Sequence, residues 1–247
     1  MLATTMDPIE EITRAQATDL VDEDGDEVEI ALDLGLASDG IEALEDEIGV
    51  ALPGELRDLL SYTTGIDGVL GSVDFTGRGF DVEIAEIFPW GLPIAGDGFG
   101  NFWVVDLTPD RREVAPVFFG CHDPPVILLQ SPSVGHFLHE MFKAYVPPHA
   151  SLVSDVHADR VFDVWQENPG VLERADALTS GDRALRDFAA TLDDDFAIVD
   201  LRSAEIGMGL SWGRYGPRTE LRRHGHELLF AYRRPQRRGG RLRRLLG

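Results

Sequence analysis

Apolar positions along the chain recur with two periods, one helical and one extended. Residues 8–17, PIEEITRAQA, can form a helix, and 22–27 is a charged turn. Val28, Ile30, Leu32 and Leu34 then alternate with Glu29, Ala31, Asp33 and Gly35, the period of a half-buried strand. Ser38 or Asp39 is placed to cap a helix whose apolar face is Ile41, Leu44 and Ile48, stopped at Gly49. Pro53 suits the first turn of the next helix, where its missing N–H would have no partner anyway. Leu56, Leu59 and Leu60 recur at helical spacing there, with Gly65 as the left-handed exit. Short strands are predicted over 69–75 and 80–87, the second reaching Pro89-Trp90.

The run AGDGFGN, residues 95–101, is too rich in glycine for a regular element and reads as a turn feeding a strand. That strand puts Phe102, Val104 and Asp106 on one face and Trp103, Val105 and Leu107 on the other. Residues 110–112 read as a turn and 114–119 as a strand. Ser133 can cap a helix in which Phe137, Leu138, Met141 and Phe142 pack inward, and Pro147-Pro148 ends it. Beyond lie a helical stretch over 182–192, a break at Asp193-Asp194-Asp195, and strands over 196–201, 206–212 and 227–232. The order predicts an α+β protein in four parts. These are an acidic extension (1–35), a main domain (36–148), a smaller α+β subdomain (149–232) and an Arg-rich tail (233–247).

Composition adds limits. At 247 residues the chain can bury a sizeable core. No run approaches the ~18 apolar residues a membrane span needs. The N-terminus lacks a basic start followed by an apolar stretch, so no secretory signal is expected and the cytoplasm is the expected address. Cys121 is alone, which excludes a disulfide framework and a Cys-based metal site, and a small buried hydrophobe is its expected role.

Charge changes the picture more. Up to Gly213 there are 11 basic against 42 acidic side chains; from Arg214 onward, 11 Arg stand against Glu220 and Glu227 alone. The acidic part is either a solvated surface or one that attracts basic proteins and repels nucleic acid. Every cationic side chain but Lys143 is Arg, from genome composition or salt adaptation.

Searches for chemistry fail one after another. Counting from Asp22, Gly25 falls at the fourth position, whereas a calcium loop needs Gly at the sixth and Glu at the twelfth. Residues 209–213 match Gly-x-Ser-x-Gly, but a nucleophile elbow at Ser211 needs a helix after it and an acid and His further on. Pro217 follows quickly, and only Glu220, His224 and His226 come later. Gly96, Gly98 and Gly100 do not fit the dinucleotide spacing. His136 and His139 share a helix face beside Glu140 without the H-E-x-x-H order. His224 and His226 would share a strand face without a third ligand. No catalytic set, metal or cofactor is expected.

Three segments carry a resemblance. They are Leu52-Pro53 with the Leu59-Leu60 helix ending near Gly65, then Pro93 through the Gly-rich turn to Asn101 and the Asp106 strand, and the His122-Asp123 loop leading to the Phe137-Leu138 helix. Their order, over roughly 36–146, resembles the SUKH superfamily, which includes fungal cell-wall assembly regulators and many bacterial immunity proteins of toxin systems. The resemblance implies a mixed sheet flanked by helices, no shared catalytic site, and action by binding proteins, often a nuclease or other toxin. The expected partner is therefore a protein, possible toxin domains included. The alternative is an adaptor that grips nucleic acid or an anionic membrane through the Arg-rich tail. Trp90, Asp97, Asn101, Phe102 and Trp103, an aromatic cluster around a rigid Gly-rich turn, are the expected partner-facing residues.

Overall fold

The computed structural model describes residues 6–80 and 85–235. In chain order the elements begin with α1 (Pro8–Gln16), β1 (Ala31–Leu32), α2 (Ser38–Ile48), α3 (Gly54–Tyr62), β2 (Gly65–Asp67) and β3 (Ser72–Asp74). They continue with β4 (Gly91–Gly96), β5 (Phe102–Asp106), β6 (Val117–His122), β7 (Pro125–Ser131) and α4 (Val134–Lys143). A helical stretch follows, α5 (Leu152–Asp155) running through a π-type turn (Val156–Arg160) into α6 (Val161–Glu167). Last come β8 (Val171–Glu173), α7 (Arg174–Leu178), α8 (Arg183–Ala190), β9 (Phe196–Asp200), β10 (Gly209–Leu210), β11 (Leu221–Arg223) and β12 (Leu229–Arg233).

Among the described residues the strands form two antiparallel sheets, ordered β1-β2-β3-β4-β5-β6-β7-β10 and β11-β12-β9-β8. Alternation along the strands decides the layering. Trp103, Val105, Phe119 and Leu128 face α1–α4 and the 152–167 helical stretch, whereas Val104, Phe118, Ile127 and Leu129 face the second sheet. The second sheet in turn sends Val199, Phe230 and Tyr232 inward, and Phe196, Ile198 and Ala231 outward against α7 and α8. The result is four layers, helices–sheet–sheet–helices.

Local chemistry explains the ends. Asp7 caps α1 by accepting from the Ile9 amide at 2.8 Å, and Asp182 caps α8 from the Leu185 amide at 3.1 Å. Ser133 caps α4 as expected, its hydroxyl accepting from the His136 amide at 3.2 Å. Glu55 ties α3 to the start of α4, its carboxylate accepting from the amides of Ala115, Val134 and Gly135. Burial nonetheless pushes that carboxyl above the usual range.

Several expectations shift. The helix of Leu59-Leu60 ends at Tyr62, and Gly65 is already in β2 rather than a left-handed exit. Glycine is needed there for space: a Cβ would sit 2.6 Å from the Asp33 carboxylate and 2.7 Å from the Val73 carbonyl. Ala95 and Gly96 belong to β4, so the turn proper is 97–101. Of the alternating run 28–35 only Ala31–Leu32 pairs, and Leu34 is 91% exposed. Of the strand expected over 80–87, residues 81–84 lie outside the described residues and 85–87 form a turn instead; the tail beyond Pro235 also lies outside the described residues.

Residues after Pro148 serve both sheets. The 152–167 helical stretch packs on the helical side of the first sheet, and β10 pairs with β7 to extend it. The close approach needs Gly209, where a Cβ would meet the Ile127 carbonyl at 1.9 Å. Between the sheets, Asp106 and Arg223 form a buried bidentate pair at 2.7 and 2.9 Å.

Candidate functional site

The Gly-rich turn is a surface loop of the first sheet braced by its own side chains. Gly98 and Gly100 take positive φ (79° and 93°), the left-handed geometry that lets the chain reverse between β4 and β5. Asp97 holds the turn from within. One carboxylate oxygen accepts from the amides of Phe99 (2.8 Å) and Asn101 (3.1 Å), and the other from the Asn101 side chain (2.5 Å) and His157 Nε2 (3.0 Å). Burial alone would push the Asp97 carboxyl up, but these hydrogen bonds outweigh it and hold it below the usual carboxylate range. Asn101 continues the chain of contacts, its side-chain oxygen accepting from the His122 amide at 3.1 Å and lying 3.0 Å from His122 Nδ1. Braced this way, the turn projects Phe99 into solvent at 81% exposure.

His157 comes from the π-type turn after α5, and its ring stacks on Trp103 with centroids 6.3 Å apart and planes at 19°. Local π geometry recurs at functional sites. Beside it opens a cleft of about 460 Å³ between the Asp97 turn, the 22–27 turn and the end of α4.

The five expected partner-facing residues do not form one cluster. Asp97 and Asn101 come together at the turn. Phe102 is half-buried, its ring lying over Gly120, where a Cβ would stand 2.4 Å from Phe102 Cζ. Trp103 is a core residue, 1% exposed, with Nε1 donating to Gln130 at 3.0 Å. Its strand face packs under α4, so surface placement is corrected. Trp90 lies at the opposite end of β4, roughly 15–20 Å away by strand rise, half-buried with its ring edge-on to His226 at 5.1 Å. Sequence reasoning missed Phe99, His122 and His157. A lone Phe between two glycines was a signal for the first, whereas His157 is brought in only by tertiary contact.

Other motifs find structural roles. Ser211 is 0% exposed and its hydroxyl donates to the Val164 carbonyl at 3.1 Å, out of reach of any substrate. His139 pairs with Glu11 at 3.0 Å, and His136 with the Ser133 hydroxyl at 2.9 Å. His224 and His226 lie in the turn after β11, not on a shared strand face: His224 packs at a tilt against Phe188 and His226 binds Asp110 at 2.8 Å. Burial pushes the Cys121 thiol up, away from the reactive thiolate. Among the described residues no group of three or more His, Cys, Asp or Glu is placed to hold a metal, and no helix is long and apolar enough to cross a membrane.

Fold and surface thus define a class, an α+β scaffold that presents a rigid, aromatic-tipped turn. Residues 35–140 match the model of the SMI1 / KNR4 family (SUKH-1). The chain carries a SUKH-superfamily domain, spanning α2 through most of α4. No curated protein and no solved structure matches the chain.

Proposed function

We propose that the chain is a non-enzymatic protein-binding module of immunity or regulatory type, which neutralises a toxin or related intracellular partner by docking through the 97–101 turn. The observation that carries this reading is Phe99, 81% exposed on a loop whose carboxylate brace accepts four hydrogen bonds. An aromatic carried on a braced backbone adds little loop-ordering cost on binding and is the kind of side chain that anchors interfaces. Membership of a superfamily rich in immunity proteins supports the same reading, as does the burial of Ser211.

The test is co-expression with the toxin-like product of a neighbouring gene. Wild-type protein should restore growth and co-purify with that product, while Phe99→Asp should lose both with an unchanged melting temperature. Full rescue by Phe99→Asp would remove the turn from the interface. Failure of the wild type to bind or rescue would remove the immunity reading.

A further inference from the structure

The cleft beside the turn has a definite donor and acceptor balance. Its floor is Trp103 and its walls include Leu70, Ala144, Val153 and Ala158, an apolar lining for an alkyl chain. Its indole and two of its amide donors are spent, while the Tyr145 and Ser154 hydroxyls can still turn a proton either way. Trp103 Nε1 goes to Gln130 at 3.0 Å, the Leu70 amide to the Tyr145 hydroxyl at 2.7 Å, and the Gly71 amide to the Gly96 carbonyl at 3.0 Å. His157 is held by Asp97 at 3.0 Å.

Two acceptors are not spent. Asp22 uses one carboxylate oxygen for the amides of Asp24 (3.0 Å) and Asp26 (2.9 Å), which shapes its turn and leaves the other oxygen over. Glu23 is exposed at the same mouth, and among the described residues neither carboxylate has a cationic side chain within ion-pair distance. The Ser154 hydroxyl can accept as well as donate, and no Lys or Arg lines the cleft. An anion would be repelled here, and a neutral ligand would leave both carboxylates without a partner. A guanidinium on an aliphatic stem satisfies both halves, the stem along the walls and the planar donors on the carboxylates.

We propose that this cleft receives an arginine side chain from a basic protein partner, next to the Phe99 anchor. The proposal deepens the binding reading above by naming the partner's chemistry. The long-range charge fits, with 42 acidic against 11 basic side chains up to Gly213 drawing a cationic surface towards this face.

The cleft can be tested without the partner, by nitrogen-15 NMR titration of the full chain with N-acetyl-arginine amide and its neutral isostere N-acetyl-citrulline amide. The arginine probe should give saturable shifts centred on the amides of Gly71, Asp97 and Ala144, and the citrulline probe none. Asp22→Asn with Glu23→Gln should weaken the arginine probe about fivefold, the scale of an exposed ion pair. Glu42→Gln with Asp46→Asn, the same charge change on the outer face of α2, should leave it unchanged. Should the double cleft variant fold poorly, Glu23→Gln alone, at an exposed unpaired site, carries the test. Equal binding of citrulline, scattered shifts, or equal losses from the cleft and α2 variants would overturn the proposal. A cleft that binds arginine while wild-type protein rescues no toxin would leave this site standing and the immunity reading lost.

Discussion

Replacing Arg223 with alanine gives the sharpest test of how the two sheets are held together. Its guanidinium donates to both Asp106 oxygens (2.7 and 2.9 Å) and to the carbonyls of Ile87 (3.0 Å), His226 (3.1 Å) and Glu227 (3.0 Å). It also lies 5.3 Å from the Phe230 ring centroid and 5.9 Å from that of Phe88. Side-chain exposure is 3% for Arg223 and 0% for Asp106, so water cannot replace what is removed. Breaking such a buried pair costs about 3–5 kcal/mol, mostly from the charge left behind. Arg111 still donates to Asp106 at 2.6 Å, which places the cost near the lower end. A loss of about 3 kcal/mol lowers the melting temperature of a protein this size by roughly 6–12 °C. Urea denaturation followed by circular dichroism and tryptophan fluorescence measures it. Asp106→Asn and the double variant complete a cycle whose coupling should exceed about 1 kcal/mol. Additive losses, or an Arg223→Ala cost under about 1 kcal/mol, would refute the reasoning.

Three further outcomes follow from the same physics. Trp103→Ala should cost about 3–5 kcal/mol as a core truncation, and Trp90→Ala under half of that, by urea midpoint; equal costs would contradict their different burial. Because the Asp97 carboxyl is held below its usual value near 3.8, its stabilising contribution is complete above that pH and is lost as pH falls through the lower folded value. Urea midpoints from pH 5 to pH 2 should therefore fall less steeply for Asp97→Asn than for wild type, and parallel slopes would remove the brace. Truncation after Pro235 should leave weak duplex binding unchanged near 150 mM salt, whereas full-length binding near ~10⁻⁶ M abolished by truncation would favour the tail-led adaptor.

Local periodicity made the helices and the first sheet's central strands legible, because burial on one side writes itself into every second or every third and fourth residue. The face assignments of Val104 against Trp103 and Val105 follow from that alone. Non-local geometry was not legible. Which apolar face of β5 meets helices and which meets a second sheet depends on residues 196–232, far away in the chain. Trp103 and Phe99 show the consequence at the candidate site. An aromatic beside a Gly-rich turn belongs to the surface or the core according to whether its strand face is roofed by α4, and the sequence around it is the same in either case. His157 reaches Asp97 across 60 residues, a contact no spacing announces.

The charge asymmetry shows how far composition can mislead before partners are assigned. The Arg-rich C-terminal part suggests a free basic surface, yet five of its six described arginines are engaged within the chain, the exception being the exposed Arg218. Arg233 binds Asp193 (2.8 Å), Asp195 (2.9 Å) and Glu220 (2.7 Å), and Arg234 binds Glu173 at 2.7 Å. Arg222 pairs with Glu220 at 2.6 Å, Arg223 with Asp106, and Arg214 donates to the Trp165 carbonyl. The acids around Asp193–Asp195 are thus largely matched, whereas those at Asp22 and Glu23 have no described cation beside them. An acidic chain of this kind attracts a basic partner towards the whole body, but only an unmatched carboxylate offers it a new ion pair on arrival. Asp22 and Glu23, beside the 97–101 turn, are carboxylates of that kind, and there the proposed contact would add such a pair.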